Sequence, residues 1–329
     1  MEQLLRSVKL EQLDADLFRS VMLWTPRMGR GTFGGQLVAH SFAAAQATVD
    51  SALGVHSLHG HFLQAGNSKK PIYYRVRNIR TGKSFATRIV IATQDGQAVY
   101  TATVSFHRKE TPGISHSPVM PNHIPPPEEA VLDNFIARPL SKSSKESLKE
   151  NVDRKTPNVL PFEIRYVIPE SIRRMREEKE KEKKLAHEGK GDDRSDSSVS
   201  DRDLILDEAL YSWQRTPYTG DDPHIHQLIA AFMSDFTLLF SAVATHIRAA
   251  RNTAMMASLD HAIYFHAPLR VDQWFLYEVR STWANGNRAL CHGRIYNSEG
   301  ELAMSTVQEG VIRMNKDFSS SSVKISSKL

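Results

Sequence analysis

The chain states one structural plan twice. A helical run rich in small residues, "FGGQLVAHSFAAAQATV" at 33–49, is followed by four strand-like runs: "VHSLHGHFLQ", "PIYYRVRNIR", "SFATRIVIATQ" and "AVYTATVSFH". Turn signals separate the runs, "AGNSKKP", "RTGK" and "QDGQ", and the shortness of the last two predicts an antiparallel meander. The same order then returns. "DDPHIHQLIAAFMSDFTLLFSAVATHIR" predicts one long helix, with Asp221 or Asp222 as N-cap and Pro223 in the first turn. Four further runs follow it: "MASLDHAIYFH", "QWFLYEVRSTW", "RALCHGRIYN" and "LAMSTVQEGVIR". Matches recur about 202 residues apart: Ser57-Leu58 with Ser258-Leu259, Ala65 with Ala267, and Gly96 with Gly300. Duplication of one helix-plus-sheet unit is the economical explanation.

The second helical run is apolar almost all round. Leu228, Phe232 and Leu239 form one stripe, and Ile229, Met233, Phe236 and Phe240 form the next. Such a helix is buried on most sides. An antiparallel sheet wrapped around one central helix is the hotdog unit, so the expected class is α+β, a double hotdog. The expected division is an N-terminal unit at 1–115, a Pro-rich linker at 116–160, a C-terminal unit at 161–317 and a flexible tail at 318–329. Residues 172–203 fit neither copy. They are nearly all charged, Ser and Gly, and are expected to be a disordered surface insertion.

Composition excludes several classes. Among 329 residues the net charge is +5, a mild excess that suits an anionic ligand and gives no ground for nucleic-acid binding. Cys291 is the only cysteine, so no intrachain disulfide and no thiolate metal cluster is expected. The opening residues lack the apolar core of a signal peptide. The longest apolar stretch, 228–244, is short for a membrane span and carries Asp235 near its centre. The chain ends in Ser327, Lys328 and Leu329, a tripeptide read by the peroxisomal import receptor, and the Ser-rich tail before it is expected to be accessible.

Two polar residues stand where apolar ones are expected. Asp235 lies on the Leu228/Phe232/Leu239 stripe. A carboxylate there is either tied structurally to an Arg or backbone amide, or held as a base or water ligand. In the last strand, Gln308 extends the row Leu302, Met304, Thr306. Matching the final strands on Gly96 and Gly300 puts Gln308 opposite Val104, and Asp235 falls nearest Gly35 or Gln36, where no acid stands. Ser258 matches Ser57 and does not discriminate between the copies. The second copy has thus placed polar groups where the first has small or apolar ones.

With the stretches "GRGTFGGQLVAHSF", "SLHGHFLQAG", "PIYYRVRNIRTGKSFATRIVIATQDG", "SLDHAIYFHAPLRVDQWFLYEVRST" and "EGELAMSTVQEGVIR", the chain resembles the type II acyl-CoA thioesterases, including their peroxisomal members. The resemblance covers about residues 20–130 and 205–315. It implies a double hotdog that pairs further into a homo-oligomer, and hydrolysis of fatty acyl-CoA to free fatty acid and CoA. It also implies a single attacking water held by an Asp, a Ser or Thr, and a Gln. Residue by residue these fall on Asp235, Ser258 and Gln308, with no cofactor, metal or acyl-enzyme required.

Other candidates carry weaker signals. Gly34, Gly35 and Gln36 are candidates for acyl-CoA contact, but close backbone packing at a helix start is the better explanation of the glycines, and "GTFGGQ" lacks the Lys of a phosphate loop. His56, His59 and His61 lack the further ligand that a metal needs. Asp260 and His261 resemble an acid/base pair, but adjacent strand residues point to opposite faces. An enoyl-CoA hydratase would use that pair, and a non-catalytic acyl-CoA-binding protein would use neither site.

Overall fold

A computed structural model describes residues 2–26, 31–111, 113–132, 162–168, 209–218, 220–244 and 253–315. The charged insertion at 172–203, most of the stretch before it and the tail ending in Ser327–Leu329 lie outside the described residues. Fourteen strands among the described residues form one antiparallel sheet. The first half supplies β1 (Leu10–Asp14), β2 (Leu17–Ser20), β3 (Leu53–Phe62), β4 (Tyr73–Thr81), β5 (Phe85–Gln94) and β6 (Gln97–Arg108). The second supplies β7 (Val131–Leu132), β8 (Glu163–Tyr166), β9 (Leu210–Arg215), β10 (Thr253–Ser258), β11 (Asp260–Phe265), β12 (Phe275–Asn285), β13 (Arg288–Tyr296) and β14 (Leu302–Met314).

The strand order reveals the duplication. At the centre β3 pairs with β11, Leu58 opposite Ile263. Outward on one side run β6, β5, β4 and β2; outward on the other run β14, β13, β12 and β9. This is a double hotdog, as expected. The four-strand meanders form because every second residue is apolar: in β5, Ala86, Val90 and Ala92 face the core. Arg88 breaks that row yet is 2% exposed. Its guanidinium donates to Thr48 O at 2.9 Å and Arg80 O at 2.8 Å, tying the end of the central helix to the sheet.

Helix α1 (Glu2–Val8) packs beside α2 (Gly34–Gln46), the central helix of the first half. Around α2 the buried residues include Leu37, Val38, Ala39, Phe42, Ala44 and Ala45. The second half carries α3 (Pro223–Ser234), whose N-cap Asp222 accepts from His224 N at 2.9 Å, and the short α4 (Phe240–Ala244). One continuous helix was expected here. It breaks over 235–239 instead, because the side chains of Ser234 and Asp235 bond to other partners. Ser234 Oγ reaches Ala231 O and His261 Nε2, both at 2.9 Å, and Asp235 bonds to two strands. Such local bonds compete with helix continuation.

The expected linker is also more structured than its prolines suggest. Trp213 Nε1 donates to Pro125 O at 2.8 Å, and Met120 and Ile124 pack on Trp213, Leu276 and Tyr296. β7 then pairs with β8 at the sheet end. The strand row of the second half is also longer than expected: β7, β8 and β9 add to the predicted four. No helix among the described residues is long and apolar enough to cross a membrane.

Candidate active site

Gln308 is fully buried in the middle of β14. Its Nε2 donates to Asp235 Oδ1 at 2.5 Å and to Ser258 Oγ at 2.8 Å. Ser258 ends β10 and pairs with Gly310, so its side chain lies diagonally beside Gln308 on the same sheet face. Asp235 enters from the break between α3 and α4. The three polar residues singled out in the sequence therefore meet at one point.

Asp235 is bonded from both halves. Its carboxylate accepts from Gln308, from the backbone N–H of Gly35 and from Ser258. The N-cap position of α2, Phe33, offers no side-chain acceptor, so Asp235 acts as that helix's cap from the other half of the chain. The two glycines make this approach possible. A Cβ on Gly34 would stand 2.7 Å from Asp235 Oδ2, and one on Gly35 would run into the Phe232 carbonyl. Gly34 and Gly35 are thus partners of Asp235 in space. Phe33 stacks near Phe232 at 4.9 Å and Phe236 at 6.0 Å, which closes the junction with apolar surface.

Burial raises the Asp235 carboxyl from 3.8 to about 6, against the lowering effect of its three hydrogen bonds. Above that value the ionised oxygen is a stronger base than an ordinary carboxylate while still being present in quantity. His261, next to Ser234, is held neutral by burial down to about 3. It supplies no positive charge to offset Asp235.

The strand registers correct one sequence match. In β3 the pairing with β6 slips between Val55 and Ser57. In the second half the corresponding slip is at Leu259, between β10 and β11. Aligning the bulges puts Ser258 opposite Val55, not Ser57, and Gly310 opposite Phe106. Stepping back two residues puts Gln308 opposite Val104, as read from the sequence. Val55 and Val104 are both buried. The first half is therefore apolar at both strand positions, and Ser258 does discriminate.

Gln36 does not face a ligand. Its Nε2 donates to Ser7 O and Met22 O, both at 2.7 Å, and its Oε1 accepts from Trp24 N at 2.8 Å. The whole amide is spent joining three backbone segments. Asp260 accepts from Glu309 N at 2.7 Å, and His261 points to Ser234, so the two do not act as a pair. His56 bonds Ser105 Oγ at 2.8 Å, and His59 meets the Tyr264 ring edge to face. Among the described residues no group of three His, Cys, Asp or Glu is placed to hold a metal.

Two tandem hotdog units on one sheet, with a partly buried polar triad at their junction, are the class of protein that the fold defines. Residues 21–107 match the family model of the acyl-CoA thioesterase N-terminal domain, and residues 206–311 match that of acyl-CoA thioesterase. Mouse acyl-coenzyme A thioesterase 8 is 34% identical, over 95% of this chain and 90% of that protein. The yeast peroxisomal acyl-coenzyme A thioester hydrolase 1 is 25% identical, over 87% of each. The crystal structure of acyl-CoA thioesterase II TesB2 from Mycobacterium marinum superposes with a TM-score of 0.67 at 30% identity, covering 96% of this chain and 99% of that one. The chain belongs to the acyl-CoA thioesterase family, and is a hydrolase.

Proposed function

We propose that this enzyme hydrolyses fatty acyl-CoA by direct attack of a water held by Asp235, Ser258 and Gln308. The observation that carries the reading is the bonding of Gln308 Nε2 to both Asp235 and Ser258 where the two halves of the chain meet. Asp235 takes the water's proton as its oxygen attacks the thioester carbonyl. Ser258 and Gln308 fix that oxygen. The tetrahedral intermediate then collapses, the C–S bond breaks, and the departing CoA sulfur takes the proton from Asp235. General-base help of this kind contributes about 10²- to 10⁴-fold.

CoA thiol release from purified chain, followed with an aromatic disulfide across saturated acyl-CoA lengths, tests the activity. Hydration of an enoyl-CoA without thiol release would instead favour the hydratase reading. A pH profile tests the base. With the Asp235 carboxyl at about 6, kcat/KM is expected to fall tenfold per pH unit below that midpoint and to level off above it. A limb centred at the ordinary carboxylate value would remove Asp235 from the role.

The reading extends to the peroxisome. Its supports are the terminal Ser327-Lys328-Leu329 and the name of the yeast relative. Truncation of these three residues is expected to leave hydrolysis unchanged and to move a tagged chain to the cytosol. Import that persists when no full-length copy is present would count against the tripeptide.

A further inference from the structure

Tyr100 on β6 is fully buried, and its hydroxyl has no hydrogen-bond partner. A buried, unsatisfied hydroxyl is unfavourable, and Phe would fill the same space without it. The surroundings are also shaped to the hydroxyl. It lies over Gly60, where any Cβ would collide with it. Gly60 pairs with His261, and the next pair along is His61 with Asp260.

The hydroxyl lies over Gly60, which pairs with His261, and His261 Nε2 bonds Ser234, the residue before Asp235. The Tyr100 ring packs 4.9 Å from Phe62. Phe62 in turn comes within 3.0 Å of where a Gly34 Cβ would stand, the point that is 2.7 Å from Asp235 Oδ2. Burial, and then the charges of Asp235 and Asp260, push the ionisation of Tyr100 well up, so the phenol keeps its proton. Asp235 is already bonded by Gln308, Ser258 and Gly35, and Asp260 by Glu309 N. The Tyr100 proton is therefore free for a third party.

We propose that Tyr100 donates a hydrogen bond from the first half of the chain to the thioester carbonyl oxygen as it gains negative charge. This rests on the reading of the chain as a hydrolase that attacks the thioester at this junction. No proton is transferred; the O–H bond stays intact and the donor stabilises the oxyanion, a contribution of the kind worth about 10²-fold in turnover. It also gives the apolar first half a part in the chemistry.

Tyr100→Phe and Asp235→Asn, each as full-length chain, separate the two ideas. Tyr100→Phe is expected to lower kcat per folded molecule by about 10²-fold. KM and the midpoint of the acid limb should stay put, and the thermal midpoint should stay level or rise. A kcat within about twofold of the parent, well short of an oxyanion donor's effect, overturns the proposal. A shifted acid limb also overturns it, because Tyr100 would then act through Asp235. If Asp235→Asn stays active while Tyr100→Phe loses turnover, the base assignment falls and the donor stands. If both stay active, both fall.

Discussion

Asp235→Asn is expected to reduce hydrolysis by about 10²-fold or more while leaving the fold intact. The change is nearly isosteric, so the packing of Phe33, Phe232 and Phe236 survives. The new amide still has partners. Its oxygen accepts from Gly35 N–H, and Gln308 can turn its own amide to present Oε1, which is buried without a partner in the parent. The variant also lacks a charge that is costly to hold. Because burial raises the folded carboxyl from 3.8 to about 6, the ionised form carries about 3 kcal/mol of instability. That penalty is absent below the unfolded value, where both states are protonated, and fully present above about 6. The thermal midpoint of the variant should therefore match or exceed the parent's at neutral pH and converge with it in strong acid. A steep loss of midpoint at neutral pH, with turnover of the folded fraction within about tenfold of the parent, would make Asp235 a structural partner and sink the site.

Much of this site was legible because polar residues interrupt apolar patterns. Gln308 stands out by the period of a strand, and Asp235 by the stripe of a helix. Ser258 has no such signal. A serine in a strand is unremarkable, and its true counterpart depends on a bulge that shifts register by one residue without marking the sequence. The break at Asp235 was hidden for a related reason: the apolar pattern runs straight through it, because residues 236–244 remain buried or half-buried in turn and helix alike. Nothing in the sequence around Gln36 marks its structural bonds. Its partners, Ser7, Met22 and Trp24, are distant in sequence and unite only on folding. Tyr100 escaped notice since an aromatic on a strand reads as ordinary core, and only the unpartnered hydroxyl sets it apart.

Gly35→Ala is expected to harm both stability and turnover, in contrast to Asp235→Asn. The added methyl meets the carbonyl of Phe232, a backbone atom at the end of α3. Backbone has no rotamer to change, so α2 and α3 must separate. Overpacking of this kind costs about 1–3 kcal/mol, and for a chain of this size each kcal/mol lowers the thermal midpoint by about 1–2 °C. Separation also draws the Gly35 N–H away from Asp235, so α2 loses its cap and the carboxylate loses a donor. With that bond weakened, the lowering influence on the carboxyl falls and its midpoint should rise above about 6. The acid limb of kcat/KM should move to higher pH in the same direction. The control is an Ala substitution at Gly54, where a Cβ would meet nothing within 4 Å; it should leave the acid limb in place. If Gly35→Ala proves as stable as the parent with an unmoved limb, the two halves do not meet at Asp235 as the geometry requires.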